Sequence, residues 1–195
     1  MNDLNADGVY EVAAIVGSLR RASFNRGLLR AAIEVQPEGM RIMEAPIGEL
    51  PLFNEDVERD GDPAPVQELK ARILASDAVL FITPEYNQSI SGVLKNAIDW
   101  ASRSYGAGQV LAGKPVAILG ASATPYGTAR AQLELRRILP YLSMYLLPKP
   151  EIYVGPASQH FDERGNLTDE KIRQRLHEQL AKLLDWTKLV ASGAA

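Results

Sequence analysis

Five polar side chains fall within the segment Gly17-Ser-Leu-Arg-Arg-Ala-Ser-Phe-Asn25: Ser18, Arg20, Arg21, Ser23 and Asn25. Two hydroxyls, two guanidinium groups and an amide can all donate hydrogen bonds to one anion. They stand just ahead of a stretch with helical apolar spacing, so the free N–H groups of a helix start would add to them. The chemistry that suits this set is recognition of a terminal phosphate monoester. The segment is neither GxGxxG nor a Walker sequence, which removes support for dinucleotide and triphosphate binding. Charge-assisted hydrogen bonds contribute about 1.5–3 kcal/mol each, whereas nanomolar retention needs about 12 kcal/mol. The remainder would come from burying a flat, largely apolar body elsewhere in a cleft. The same residues also suit a plainer role, in which Ser23 or Asn25 only caps the helix and the arginines are solvated.

A second set follows the apolar run Ala78-Val-Leu-Phe-Ile-Thr83. That run reads as a buried strand, and it stops on Pro84-Glu85-Tyr86-Asn87, a fixed-φ proline, a carboxylate, a phenol and an amide. A simple turn would need only Gly, Asn or Asp. At a strand end beside a phosphate site, the amides of Glu85, Tyr86 and Asn87 would face the polar edge of a planar ring. Tyr86 would pack against that ring or its entrance, or serve only as a packing residue. For Glu85 the plainer alternative is a solvated carboxylate whose backbone alone matters.

These segments must be placed by regular elements, and the chain alternates strand and helix throughout. Strand patterns lie at Tyr10–Val16, Met40–Ala45, Ala78–Thr83, Pro115–Leu119 and Met144–Val154, the last at an edge or broken by Pro148 and Pro150. Helical spacing covers Asn25–Val35 (Leu28, Leu29, Ala32, Ile33), a segment opened by Pro65 (Leu69, Ile73, Leu74), Ser91–Arg103, and Ala129–Leu139. A final helix, with Thr168 as its cap, buries Ile172, Leu176, Leu180 and Leu183. "PIGELPLFNED" reads as a long connection. Parallel strands need crossovers, and right-handed crossovers put helices on both faces. The expected fold is therefore α/β: a doubly wound, five-stranded parallel sheet in the flavodoxin-like order, as one domain over 1–195 with its core at about 9–190. Ligands of such sheets sit at the carboxyl ends of the strands. This directs attention to the loops 17–25, 84–89 and 120–127.

With 195 residues and a net charge of −3, the chain has no basic face for a nucleic-acid backbone. It has no cysteine, which excludes disulfides and thiolate chemistry and accords with a reducing compartment. No signal segment or membrane span is legible, and a cytoplasmic location is expected. His160 and His177 have no neighbours spaced for a triad or a metal site and read as surface residues. Lys95 reads as solvated or pairing within its helix. Trp100 falls beside its helix's main stripe, as a core edge or a subunit contact.

"GSLRRASFN", "PEYNQSISGVLKNAIDW" and "GASATPYGTARAQLELR" together resemble the NADPH-dependent FMN reductase family, including its chromate and quinone reductases, from about Val9 to Val154. The resemblance implies non-covalent FMN with its phosphate at Ser18, Arg20, Ser23 and Asn25, within a loop that includes Leu19 and Phe24. It places the isoalloxazine at Pro84, Glu85, Tyr86 and Asn87, with the third loop near the ring around Ser122. It also implies NADPH or NADH as co-substrate, a small-molecule electron acceptor, and a homodimer or homotetramer. No side chain reads as catalytic, since a flavin would carry the chemistry. The alternative is a flavodoxin-like FMN electron carrier that docks proteins, which would be expected to show a more acidic surface. A receiver-type signalling domain would need an acidic residue where the central strand ends in Thr83-Pro84.

Overall fold

The computed structural model describes residues 8–103 and 109–193. The elements run β1 (Tyr10–Val16), α1 (Phe24–Glu34), β2 (Met40–Glu44), α2 (Glu55–Arg59), α3 (Ala64–Ala75) and β3 (Ala78–Ile82). They continue with α4 (Gly92–Ala101), β4 (Pro115–Ala121), α5 (Ala129–Tyr141), β5 (Tyr145–Leu146), β6 (Ile152–Val154) and α6 (Glu170–Ala191). All pairings are parallel, in the order β2-β1-β3-β4-β5, with β6 also paired to β4. This is the flavodoxin-like order expected. β5 and β6 lie along successive parts of β4 and together form the fifth strand. It breaks where expected, because Pro148 and Pro150 have no N–H to give to a ladder.

Side chains alternate across the sheet and build two cores. Val12, Ala14 and Val16 of β1, with Leu80 and Ile82 of β3, pack beneath α1 and α6. Ala13 and Ile15, with Val79 and Phe81, pack beneath α3, α4 and α5. Strands buried on both faces explain why their sequence runs are apolar without alternation. Among the described residues, no helix is long and apolar enough to cross a membrane.

The structure corrects several expectations. Ile33 and Leu74, assigned to helical apolar faces, are 40% and 52% exposed. A helix on a sheet buries only one stripe, and each of these residues lies just past its edge. The connection after β2 contains the short helix α2, capped by the Asn54 side chain on the Asp56 amide. Trp100 is fully buried and takes no part in an outer surface. The connection folds over it, so that its Nε1 donates to the Pro51 carbonyl at 2.8 Å and Phe53 meets its ring edge-on. Lys95 pairs with Asp99 one turn along its own helix, as expected.

Asp169, not Thr168, caps α6. The Thr168 hydroxyl and amide both donate to the His160 carbonyl, which holds it in the preceding hairpin. Asp169 Oδ1 accepts from the Lys171 and Ile172 amides, and Oδ2 lies 2.9 Å from His160 Nδ1. The His160 contact first, then the Ile172 amide, hold the Asp169 carboxyl below its usual value. Asp162 is held low in the same way by the amide and side chain of Asn166. A depressed carboxyl stabilises the fold above its unfolded value and loses that contribution as pH falls through its folded one. Stability supplied by this pair should therefore be complete above about pH 4 and decline below it. Urea midpoints across that range should give a flatter acid limb for the Asp162→Asn/Asp169→Asn protein than for wild type.

Candidate active site

The three loops at the carboxyl ends of β1, β3 and β4 converge on one cleft of about 270 Å3. The first loop contributes Ser18, Arg20, Ser23, Phe24 and Asn25; the second, Pro84, Glu85 and Tyr86; the third, Ala121, Ser122, Ala123 and Thr124. Three larger clefts, of about 360, 420 and 600 Å3, lie away from these loops. None adjoins the start of a helix that follows a strand of this sheet. Lys114, whose ammonium is made less basic by burial, belongs to the largest and donates to the carbonyls of Leu74 and Ser76.

Side-chain bonds between loops hold the cleft. Ser91, the cap of α4, donates to the Gly17 carbonyl at 2.7 Å. The buried Asn25 amide reaches Ala121 from both ends: Nδ2 donates to its carbonyl and its N–H donates to Oδ1, each at 2.9 Å. The Glu85 carboxylate is only 8% exposed and accepts from the amides of Arg130 (2.9 Å) and Ala131 (3.2 Å). Thr128, the local cap of α5, makes no side-chain cap bond, so Glu85 caps that helix from the second loop. The Arg130 guanidinium closes on Glu85 at 3.2 Å and lies over the Tyr126 ring.

These bonds change how individual residues read. Glu85 is a buried helix cap and not a solvated carboxylate. Asn25 is engaged with Ala121 through Oδ1 and one Nδ2 hydrogen, so its side chain positions two loops. Ser122 is spent within its own loop, on the Gly127 carbonyl and on Thr124. The Tyr86 amide is also committed, because Tyr86 and Ser89 exchange both backbone bonds at 3.0 Å around Asn87 and Gln88. Asn87 and Gln88 take φ values of 50° and 64°, as a tight hairpin turn requires. Part of what PEYNQS signals is thus turn chemistry. Leu19 and Asn87 stand outside the cleft lining: Leu19 is half-exposed, with Gly48 beside it, and Asn87 occupies the hairpin tip.

The donors left over lie at one end. Ser23 caps α1, its Oγ accepting from the Arg26 amide and its carbonyl from Gly27. Of the four N–H groups that a helix start leaves over, those of Phe24 and Asn25 then have no acceptor among the described residues. Ser18 Oγ likewise has none, and Arg20 has no carboxylate partner. Two helix-start amides, a hydroxyl and a guanidinium beside one cleft fit a phosphate dianion. Beyond them, the second and third loops line the cleft with Pro84, Glu85, the half-exposed Tyr86 and the small residues Ala121 to Thr124.

Comparison with known proteins agrees with this geometry. The NADPH-dependent FMN reductase family profile matches residues 10–159. The chain belongs to that family. It is 49% identical over 178 residues to an NAD(P)H-dependent FMN reductase of Pseudomonas aeruginosa, covering 91% of this chain and 95% of that protein. It is 43% identical over 181 residues to a quinone reductase of Pseudomonas putida, covering 93% and 96%. Among solved structures, the flavoenzyme NAD(P)H:(acceptor) oxidoreductase FerB of Paracoccus denitrificans superposes with a TM-score of 0.83 at 39% identity, covering 92% of this chain and 98% of that one. The reductase residues inferred from the sequence thus sit within the family match. Ala121, Ala123 and Thr124 were not singled out there, and the apolar strand ending "GASAT" was the available signal. Arg130 carried no such signal, since only the fold brings it to Glu85.

Proposed function

We propose that this protein binds FMN in the three-loop cleft and uses NADPH or NADH to reduce a quinone-type acceptor. The observation that carries this reading is the set of uncommitted donors, Ser18, Arg20 and the Phe24 and Asn25 amides, beside a cleft that three strand-end loops line together. Those donors hold the phosphate. Arg20, uncompensated by any carboxylate among the described residues, supplies the positive charge. Pro84 stiffens the end of β3, and the amides of Glu85 and Asn87, which have no acceptor among the described residues, are available to the polar edge of the ring. Bound FMN supplies the hydride relay between nicotinamide and acceptor. No acid, base or nucleophile of the chain is required for that chemistry, in keeping with the full commitment of Glu85 to the start of α5. The chain's own task is to bind the group, align it and keep one face open.

The reading includes one FMN-binding domain over 1–195 and a cytoplasmic location. It also includes association of the chain with copies of itself. Leu19, Leu52, Tyr86 and Tyr126, all more than half exposed on loops, support that association. Quinones are the preferred acceptor class because the relatives include quinone reductases.

The experiment is direct. The purified protein should be yellow and release FMN on heating. Under anaerobic conditions, NADPH or NADH should bleach the flavin band in a saturable manner, and a benzoquinone should restore it. Colour without bleaching would leave an electron carrier in place of a reductase, and a colourless protein that fails to take up FMN would end the reading.

A further inference from the structure

The family match stops at residue 159, yet the next ten residues reach the phosphate end of the cleft. Phe161 and Leu167 pair as an antiparallel bridge, closing a short hairpin. Asp162 braces its turn, accepting from the Arg164 and Asn166 amides at 2.9 and 2.8 Å. The hairpin lies along one stripe of α1, meeting it at positions three residues apart. At Phe24, the Phe161 ring packs with a centroid separation of 5.1 Å. At Gly27 the approach is so close that a Cβ would stand 2.0 Å from the Gly165 carbonyl oxygen. At Arg30, the guanidinium donates to the Gly165 carbonyl (2.8 Å) and to Asn166 Oδ1 (3.1 Å).

The first of these contacts leads into the site. Phe24 lines the cleft, and the Arg20 guanidinium sits over its ring at 5.1 Å. Phe161 is buried, with 8% of its surface exposed, so its ring offers Phe24 a fixed neighbour. Arg20 itself is exposed and has no ion-pair partner among the described residues, so the Phe24 ring is what orders it. A guanidinium ordered before the anion arrives loses less rotamer freedom on binding.

We propose that Phe161 is a positioning residue for the phosphate end of the cofactor site: it fixes the Phe24 ring, and that ring fixes Arg20. This rests on the FMN reading above. The selective consequence is that the hairpin contributes to affinity for the phosphate and not for the ring system. FMN and riboflavin, which differ by that phosphate alone, separate the two.

The experiment measures both dissociation constants by quenching of flavin fluorescence, for wild type, Phe161→Leu, Phe161→Ala and Arg20→Ala, and for Phe161→Leu combined with Arg20→Ala. Phe161→Leu keeps most of the buried volume and removes the ring pair, which guards against loss of fold in Phe161→Ala. The preference for FMN over riboflavin should fall by about 2- to 5-fold in Phe161→Leu, the range expected for a cation–π contact at a partly exposed site. In the Arg20→Ala background the same substitution should change the preference no further. A role in folding alone would lower the melting temperature and weaken both ligands equally. Wild-type protein that binds FMN and riboflavin alike would overturn the phosphate reading, and this proposal with it. A wild-type preference that survives Phe161→Leu, or one that falls equally in both backgrounds, overturns this proposal alone.

Discussion

Replacing Asn25 by leucine should destabilise the protein by about 2–4 kcal/mol and loosen FMN by more than tenfold. Asn25 is 3% exposed, and its amide satisfies both the N–H and the carbonyl of Ala121. Leucine has a similar shape and no polar atom, so both backbone groups would be left without a partner in the interior. An unsatisfied buried group costs roughly 1–3 kcal/mol. For a chain of this size that corresponds to a drop of about 5–15 °C in melting temperature. The effect on FMN follows from position, because Ala121 leads directly into Ser122, Ala123 and Thr124 on the wall of the cleft. The Asn25 side chain acts here through Ala121, while its backbone N–H is one of the phosphate donors. Calorimetry and a flavin titration on the same variant check both claims, and an unchanged melting temperature would remove the role assigned here.

Asn25 also shows what a sequence of this kind discloses and what it withholds. Its place in "SFN", in the first turn of a helix after a loop of donors, marks it as belonging to a binding segment. Nothing in the sequence pairs it with Ala121, 96 positions away. The same holds for Glu85, whose partners lie 45 and 46 positions on. Beside a proline and a tyrosine it reads as a loop carboxylate, and only the docking of α5 against the second loop turns it into a cap. The strands were legible because burial on both faces leaves uninterrupted apolar runs such as Ala78–Ile82, and such runs have few alternatives. The helix edges were less so. Ile33 and Leu74 continue an apolar pattern, but the curvature of a cylinder on a sheet carries them out of contact. Trp100 shows the converse, since the loop that buries it has no period to read. The hairpin that supports Phe24 lay beyond every recognisable motif.

Gly120 yields the second large effect. It lies within β4 and carries no unusual backbone angle, so its conformation alone would admit any residue. Space is what excludes one. A Cβ at this position would stand 2.1 Å from the Thr83 carbonyl oxygen and 2.4 Å from Thr128 Oγ1, closer than atoms can approach. The first of these atoms is backbone, and Thr83 is bound to β4 on that side, its N–H donating to the Leu119 carbonyl at 3.0 Å. Alanine would therefore force β3 and β4 apart at their carboxyl ends, beneath the loops that begin at Pro84 and Ser122. Gly120→Ala should cost more than about 3 kcal/mol, against the 1–3 kcal/mol usual for overpacking, and the protein that remains folded should retain little FMN. Gly92→Ala is the matched control. A Cβ there meets nothing within 4 Å, and the position opens α4, where alanine gains up to about 1 kcal/mol in helix propensity. Denaturant titration of the two variants should move the midpoint in opposite directions. If Gly120→Ala unfolds with the wild-type midpoint and holds flavin normally, the strands have room to part, and the cleft does not depend on the close approach of Gly120 to the turn before Pro84.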